Sequence, residues 1–279
     1  MTKRLNVSFD SEQIVIECNS LDVADRLSLV FEHALVPEAT KCVATLTIEE
    51  MEGRYLVRST AGDVVVSDNP TMTVRHAKTL VHRLFMNSRR DLLWLHAAAL
   101  DCGEGVLLIS GMAGEGKSTI AIQLVESGWR LLSDDISPVQ LETLEVLPYY
   151  ELPVRRPRQP SVLPFDEVRN FVLEDVSLSS HQIERRARPL KMVAFPTFEP
   201  SCNTFVTKMD APTTALKLLQ NAANFGGSYE KDQLVRSTSI EVFKRAAGLA
   251  SGIPAYSLTY SDSLAASKVI EGLYSCTDV

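Results

Sequence analysis

Residues Gly111-Met112-Ala113-Gly114-Glu115-Gly116-Lys117-Ser118 fit the pattern G-x-x-x-x-G-K-[ST], and their flanks constrain the fold more than any other stretch. Before them runs Val106-Leu107-Leu108-Ile109-Ser110, a short apolar strand; after them Ser118 to Ser127 reads as a helix that ends at Gly128. Strand, glycine loop and helix start together make a phosphate cradle. Glycines let the backbone turn tightly, so that several N–H groups face one anion. The helix start adds unpaired N–H groups and the positive end of its dipole. Lys117 is expected to reach the outer phosphates and Ser118 to offer its hydroxyl to Mg²⁺. Gly111, Gly114, Glu115, Gly116, Lys117, Ser118 and Thr119 are the expected nucleotide-binding residues. The plainer alternative is a glycine-rich turn into a helix; the flanks on both sides favour nucleotide.

The rest of the composition narrows the class. A chain of 279 residues, 45% hydrophobic and 23% charged, has material for a real core in one large or two smaller domains. A net charge of −7 argues against a general nucleic-acid binder. Cys18, Cys42, Cys102, Cys202 and Cys276 form no C-x-x-C pair and are odd in number. They read as reduced, mostly buried thiols of a cytoplasmic protein. No apolar stretch reaches the roughly 18 residues of a membrane span, and the first residues carry no secretory signal.

Residues 1–91 read as a small α+β module. Strands are expected over Leu5 to Phe9, Ile14 to Cys18, Val43 to Glu49, Tyr55 to Ser59 and Val64 to Ser67, with helical spacing from Leu21 to Phe31 and from Met72 to Met86. The polar run Asn87 to Asp91 marks the boundary. Residues 92–279 read as an α/β nucleotide-binding domain. It has strands at Leu93 to Leu100, Val106 to Ser110 and Trp129 to Ser133, a hairpin-like pair at Val139 to Leu141 and Val146 to Tyr150, and buried strands at Met192 to Pro196 and Ala255 to Thr259. Helices follow at Thr213 to Leu219, Ser237 to Ser251 and Ser261 to Tyr274, the last capped from Ser261-Asp262. Residues 152–188 are rich in proline and arginine and have no clear period.

Asp134 and Asp135 close the strand after the glycine-loop helix. Neighbours in a strand face opposite ways, so one carboxylate can serve a metal and the other an attacking hydroxyl. The bland reading is that Asp135 caps a turn at Ser137-Pro138. His96 lies between apolar neighbours on a strand expected beside the loop strand. A lone strand histidine is usually a bonded core residue, but from this strand its ring can reach the loop. The runs Arg155-Arg156-Pro157-Arg158 and Arg185-Arg186-Ala187-Arg188 suit phosphate or carboxylate recognition, or are a solvated face. Glu151 is a further candidate metal-side carboxylate. His33, His76, His82 and His181 lack partners at ligand spacing, and Trp94 and Trp129 read as core.

The stretches LHAAAL around His96, GVLLISGMAGEGKST and GWRLLSDD, in this order, resemble the HPr serine kinase/phosphorylase family. The chain is more closely similar to the HPr-kinase-related proteins found beside ribosomal-peptide biosynthesis genes, including lasso-peptide kinases. The resemblance covers residues 93–140 well and 141–275 loosely. It implies a fold of the phosphoenolpyruvate carboxykinase type, with a P-loop on a mixed sheet, and ATP- and Mg²⁺-dependent phosphorylation of a serine hydroxyl. It implies Lys117 as the phosphate lysine, Ser118 as the metal-side hydroxyl, Asp134 as catalytic base, Asp135 as metal-side acid and His96 as the histidine near the transferred phosphate. The chain departs from the family in Lys117-Ser118-Thr119, where true HPr kinases commonly have Lys-Ser-Glu. It also carries ELPVRRPRQP in place of the glycine-rich signature of bifunctional enzymes. These departures weaken the expectation of a phosphorylase reaction, of HPr as acceptor and of a hexamer, and leave kinase chemistry standing.

The expectation is therefore a cytoplasmic kinase that uses ATP and Mg²⁺ and acts on a peptide or protein hydroxyl, with neither nucleic acid nor membrane as partner, and with room for a homo-oligomer. A small-molecule hydroxyl kinase and a nucleotide-binding regulator without transfer activity are the alternatives.

Overall fold

A computed structural model describes residues 2–37, 41–112, 114–149, 154–155, 174–175, 178–223 and 234–275. The chain divides into two compact units, Met1–Leu92 and Leu93–Val279.

In the first unit, β1 (Lys3–Phe9) and β2 (Glu12–Cys18) form a hairpin whose turn residue Asp10 sits at φ 52°. Helix α1 (Leu21–Val30) leads to β3 (Cys42–Met51), which lies parallel to β2; β4 (Arg54–Ser59) and β5 (Val64–Ser67) add antiparallel strands. The sheet order is β1-β2-β3-β4-β5. Helix α2 (Pro70–Ser88) starts at Asn69, whose side chain accepts from the Thr71 and Met72 N–H groups, with proline in the first turn. Its apolar stripe Ala77, Leu80, Val81, Leu84 and Phe85 is buried, and Phe85 meets Phe9 edge to face.

The second unit begins with β6 (Leu92–Asp101) and β7 (Val106–Ser110), followed by α3 (Lys117–Glu126), β8 (Arg130–Ser133), β9 (Ile136–Gln140) and β10 (Glu145–Val146). Then come the two-residue strands β11 (Val154–Arg155) and β12 (Glu174–Asp175), the long β13 (Arg188–Phe198), β14 (Phe205–Lys208), α4 (Ala211–Gln220), α5 (Leu234–Gly252), β15 (Ala255–Tyr260) and α6 (Ser263–Ser275). The main sheet runs β10-β9-β6-β7-β13-β15-β14, β8 pairs with β6, and β10 also pairs with β13. Strands β7, β13 and β15 are parallel, and β6 is antiparallel to β7. The architecture is thus mixed α/β. Strand β14, which sequence reading did not find, pairs along β15 and keeps Phe205 exposed. A short edge strand with one wet face carries too little apolar pattern to stand out.

Period-two alternation sorts the core. Leu93, Leu95, Ala97 and Ala99 of β6 pack with Leu218, Val242, Ala246 and Leu249 from α4 and α5. Ala98 and Leu100 pack with Ile120, Leu124 and Val125 of α3 and with Ala266 and Ile270 of α6. His96 shares the even-numbered positions and therefore projects to the α3 face. It is half-buried in a ten-residue strand whose other residues are all buried. Trp94 and Trp129 are core, as read; Trp129 meets Tyr274 edge to face. The cysteines correct the expectation of mostly buried thiols. Among the described residues Cys18 is buried, but Cys42 and Cys102 are exposed, the first opening β3 and the second in the turn after β6. Cys276 lies outside the described residues.

Candidate functional site

The loop between β7 and α3 sits at the carboxyl ends of parallel strands β7, β13 and β15, where open α/β sheets bind ligands. Gly114 and Gly116 take φ 93° and 87°, left-handed values that suit glycine, and Gly116 is the N-cap of α3. A side chain at Gly116 would overlap the Tyr260 hydroxyl. That hydroxyl donates to the Glu115 carbonyl at 3.1 Å. The Glu115 carboxylate folds back to accept the Met112 N–H, occupying the space a side chain at Gly111 would need. The Tyr260 hydroxyl and the Glu115 carboxylate thus take the space a Cβ would need at Gly116 and Gly111.

Lys117 is 6% exposed. Its Nζ donates to the Met112 carbonyl at 3.1 Å and stands 3.4 Å from His96 Nε2. The other ring nitrogen of His96, Nδ1, lies 2.7 Å from the Asp135 carbonyl and 3.0 Å from its carboxylate. Backbone bonds hold the histidine on both sides: its N–H donates to Asn221 O at 2.6 Å and its carbonyl accepts from Gly111 N at 3.3 Å. The Asp135 carboxylate raises the His96 pKa above its ordinary value, against burial and the Lys117 charge. With Nδ1–H donating to Asp135, the neutral ring presents Nε2 to Lys117 as an acceptor, whereas Asp135 favours the cation. The two charges thus pull the ring in opposite directions, and the closer Asp135 prevails.

Ser118 donates its hydroxyl to Asp134 Oδ2 at 2.8 Å, and Asp134 is 3% exposed. The aspartates differ in geometry from the strand-end pleat expected of them. Strand β8 stops at Ser133, and Ile136 N–H returns to Asp134 O at 2.8 Å, closing a three-residue turn centred on Asp135 at φ 69°. This turn, and not strand alternation, sends the two side chains apart. A non-glycine residue held at positive φ costs about 1–3 kcal/mol, which clusters at functional sites. Ser137, expected in a capped turn, lies instead in β9 and donates to Ala97 O at 2.8 Å.

One contact bears on the roles assigned to the aspartates. Asp135, implied as the metal-side acid, is joined to His96; Asp134, implied as the base, is the carboxylate bonded to Ser118. Thr119 follows in the first turn of α3. The hydroxyl of Ser118 and the carboxylate of Asp134, 2.8 Å apart at the start of α3, are hard oxygen donors of the kind that could hold Mg²⁺. Among the described residues no three His, Cys, Asp or Glu side chains cluster as a metal cage.

The second arginine run stands away from the loop. Arg156, Arg158 and Glu151 lie outside the described residues, and Arg155 is described only as backbone of β11. Arg186 bonds Glu184 at 3.1 Å and Arg188 bonds Asp101 at 3.3 Å. Strand pairing puts Ala97 against Ser110 at the loop end and Asp101 against Val106 at the other. Four residues of strand, roughly 13 Å, separate them. Arg186 and Arg188 therefore serve buried carboxylates at the far end of the sheet, not the loop. Tyr260 and Asn221 carry no local motif and were not read from the sequence; Tyr260 reaches the loop through sheet order, and Asn221, the C-cap of α4, reaches His96 through the packing of α4 on β6. No helix among the described residues is long and apolar enough to cross a membrane.

No family model matches the chain. An HPr kinase/phosphorylase from Chlorobium limicola is 32% identical over 123 residues, covering 42% of this chain and 35% of the relative. The chain thus spans about a third of the length of that curated relative. The solved HPr(Ser) kinase/phosphatase from Coxiella burnetii aligns with a TM-score of 0.36 and 12% identity, covering 67% of this chain and 99% of the other. The chain is HPr-kinase-like in sequence, in line with the resemblance read from its motifs.

Proposed function

We propose that the chain is an ATP- and Mg²⁺-dependent kinase that transfers the γ-phosphoryl group to a serine-type hydroxyl of a peptide or protein. In this reading residues 92–279 form a P-loop domain of the HPr kinase and phosphoenolpyruvate carboxykinase type, and residues 1–91 form a separate module. One observation carries it: three separate segments bring Lys117, Ser118, His96, Asp134 and Asp135 into a single cluster at the glycine loop. The kinase class and the peptide acceptor rest on the HPr-kinase resemblance.

The loop N–H groups and the α3 start hold the phosphates, and Lys117 supplies the charge that follows the transferring group. Ser118 would offer its hydroxyl to Mg²⁺, which neutralises phosphate oxygens when bound. Asp134 already accepts a serine hydroxyl, the chemistry a base for an acceptor hydroxyl needs. The acceptor oxygen forms its bond to phosphorus as the bond to the β-phosphate oxygen breaks, and the acceptor proton passes to Asp134. Asp135 positions His96, whose Nε2 stands beside Lys117 on the phosphate side.

Incubation with labelled ATP, Mg²⁺ and serine peptides, with HPr and small hydroxyl compounds as further acceptors, tests the reading. Label transfer to a peptide hydroxyl is expected. Nucleotide binding without transfer to any acceptor would point to a regulatory binder. Lys117→Ala is expected to weaken MgATP binding about ten- to hundredfold, the equivalent of one charged hydrogen-bonding group, and to abolish transfer with the melting temperature unchanged. Unaltered affinity by calorimetry would remove the glycine loop from the function.

A further inference from the structure

We propose that Tyr260 is a positioning residue for the phosphate cradle, setting the direction of the Gly116 N–H. The proposal rests on the nucleotide reading above. The Glu115–Gly116 peptide is a rigid trans plane, so its carbonyl and its N–H point in opposite directions. The carbonyl is held by the Tyr260 hydroxyl at 3.1 Å. The N–H is thereby turned away from Tyr260, toward the open side of the loop that Lys117 and the α3 start border.

The surroundings are built for this contact. Tyr260 closes β15, directly beside the loop at the carboxyl ends of the parallel strands, and is 3% exposed. Phe198, its register partner on β13, packs edge-on against the ring at 5.6 Å between centroids. The Tyr260 carbonyl accepts from Glu199 N–H at 2.9 Å, pinning the backbone beneath the ring. Only glycine fits at position 116, both because a Cβ would meet the hydroxyl and because φ is 87°. Burial, then the Glu115 charge, pushes the Tyr260 pKa up to about 12, so the hydroxyl remains a donor at every working pH. Without the hydroxyl the peptide can rotate, and one donor of the cradle loses its aim.

The test is Tyr260→Phe, which keeps the packing on Phe198 and removes only the hydroxyl. Two measurements are made on the full chain. In ¹⁵N-glycine-labelled protein without nucleotide, the Gly116 amide signal is expected to move. In calorimetry, affinity for MgADP and for pyrophosphate is expected to fall by the same factor, about three- to tenfold, the worth of one neutral hydrogen bond, with the melting temperature held within about 2 °C. A structural role alone would lower melting and leave affinity for the folded protein unchanged, and that result overturns the proposal. An unmoved Gly116 amide overturns it as well. If the wild-type chain binds neither MgADP nor pyrophosphate, the nucleotide reading itself fails, whatever the amide does, and the two failures are told apart.

Discussion

Asp134 and Asp135 are neighbours in the chain and share little else. One is buried against the Ser118 hydroxyl; the other is half-exposed, held at positive φ and joined to His96. Their substitution should separate their roles. Asp134→Asn is expected to keep MgATP binding and to lower transfer by about a hundredfold or more, since an amide cannot take the hydroxyl proton. If MgATP binding instead loses its Mg²⁺ dependence, Asp134 is a metal ligand and not the base. Asp135→Asn removes the carboxylate that raises the His96 pKa. The imidazole resonance, followed by NMR titration, is expected to titrate at lower pH than in the wild type. An unchanged titration would show that the two side chains do not interact in solution.

Strand β6 carries two different chemistries on its two halves. Near its middle His96 meets the loop; at its end the fully buried Asp101 bonds Arg130 at 2.5 Å, and Arg130 reaches on to Glu184 at 2.7 Å. Arg130 thus joins two buried carboxylates across β6, β8 and the segment before β13. Without Arg130 each carboxylate keeps one guanidinium, Arg188 on Asp101 and Arg186 on Glu184, and loses one charged hydrogen bond, at a cost of about 1.5–3 kcal/mol. Arg130→Ala is therefore expected to lower the melting temperature by roughly 5 °C. A shift of a degree or less would mean that water replaces the guanidinium. Glu184 stays below the ordinary carboxylate pKa although burial raises it, because Arg186 side-chain and backbone bonds and the Arg130 charge outweigh burial. A lowered carboxylate pKa contributes stability that is complete above the ordinary value of 4.5 and lost as pH falls through the depressed one. Glu184→Gln is expected to be less stable at neutral pH and to lose less stability between pH 5 and pH 3 than the wild type. Parallel melting curves for the two proteins across that range would contradict this.

At the scale of the molecule, each large sheet draws all its strands from one unit. The first unit buries its own set, including Val7, Ile16, Leu27, Ile48, Val81 and Phe85, and the second holds every residue of the candidate site. A fragment of residues 93–279 is expected to fold by itself and to bind MgADP within about threefold of the full chain, since a folded site keeps its affinity when no binding group is removed. A fragment that folds but binds more than tenfold weaker would place a binding group in residues 1–92.

The glycine loop, its strand and its helix were legible because they follow one another in the chain, and local geometry depends on neighbours. The same holds for α2, with its asparagine cap and 3.6-residue stripe, and for the β1–β2 hairpin. His96 was a weak candidate from its strand alone and a stronger one by resemblance to a known pattern; its face was fixed by strand alternation once β6 was known to lie beside β7. The turn at Asp135 was not readable, because Asp-Asp after a strand fits either a continued pleat or a positive-φ turn. Bonds from the Asp135 carbonyl to Ala97 and His96, residues some forty positions earlier, decided between them. Arg186 and Arg188 could be read as phosphate binders, carboxylate binders or a solvated face until the register of β6 on β7 put their carboxylate partners at the opposite end of the sheet. Tyr260 meets Glu115 across 145 positions of sequence. Sequence by itself determined which segments could hold phosphate, since that needs only a glycine loop ahead of a helix. Tertiary structure decided which distant side chains surround the loop, since sheet order and register, set by burial of whole strands, bring them within hydrogen-bond reach.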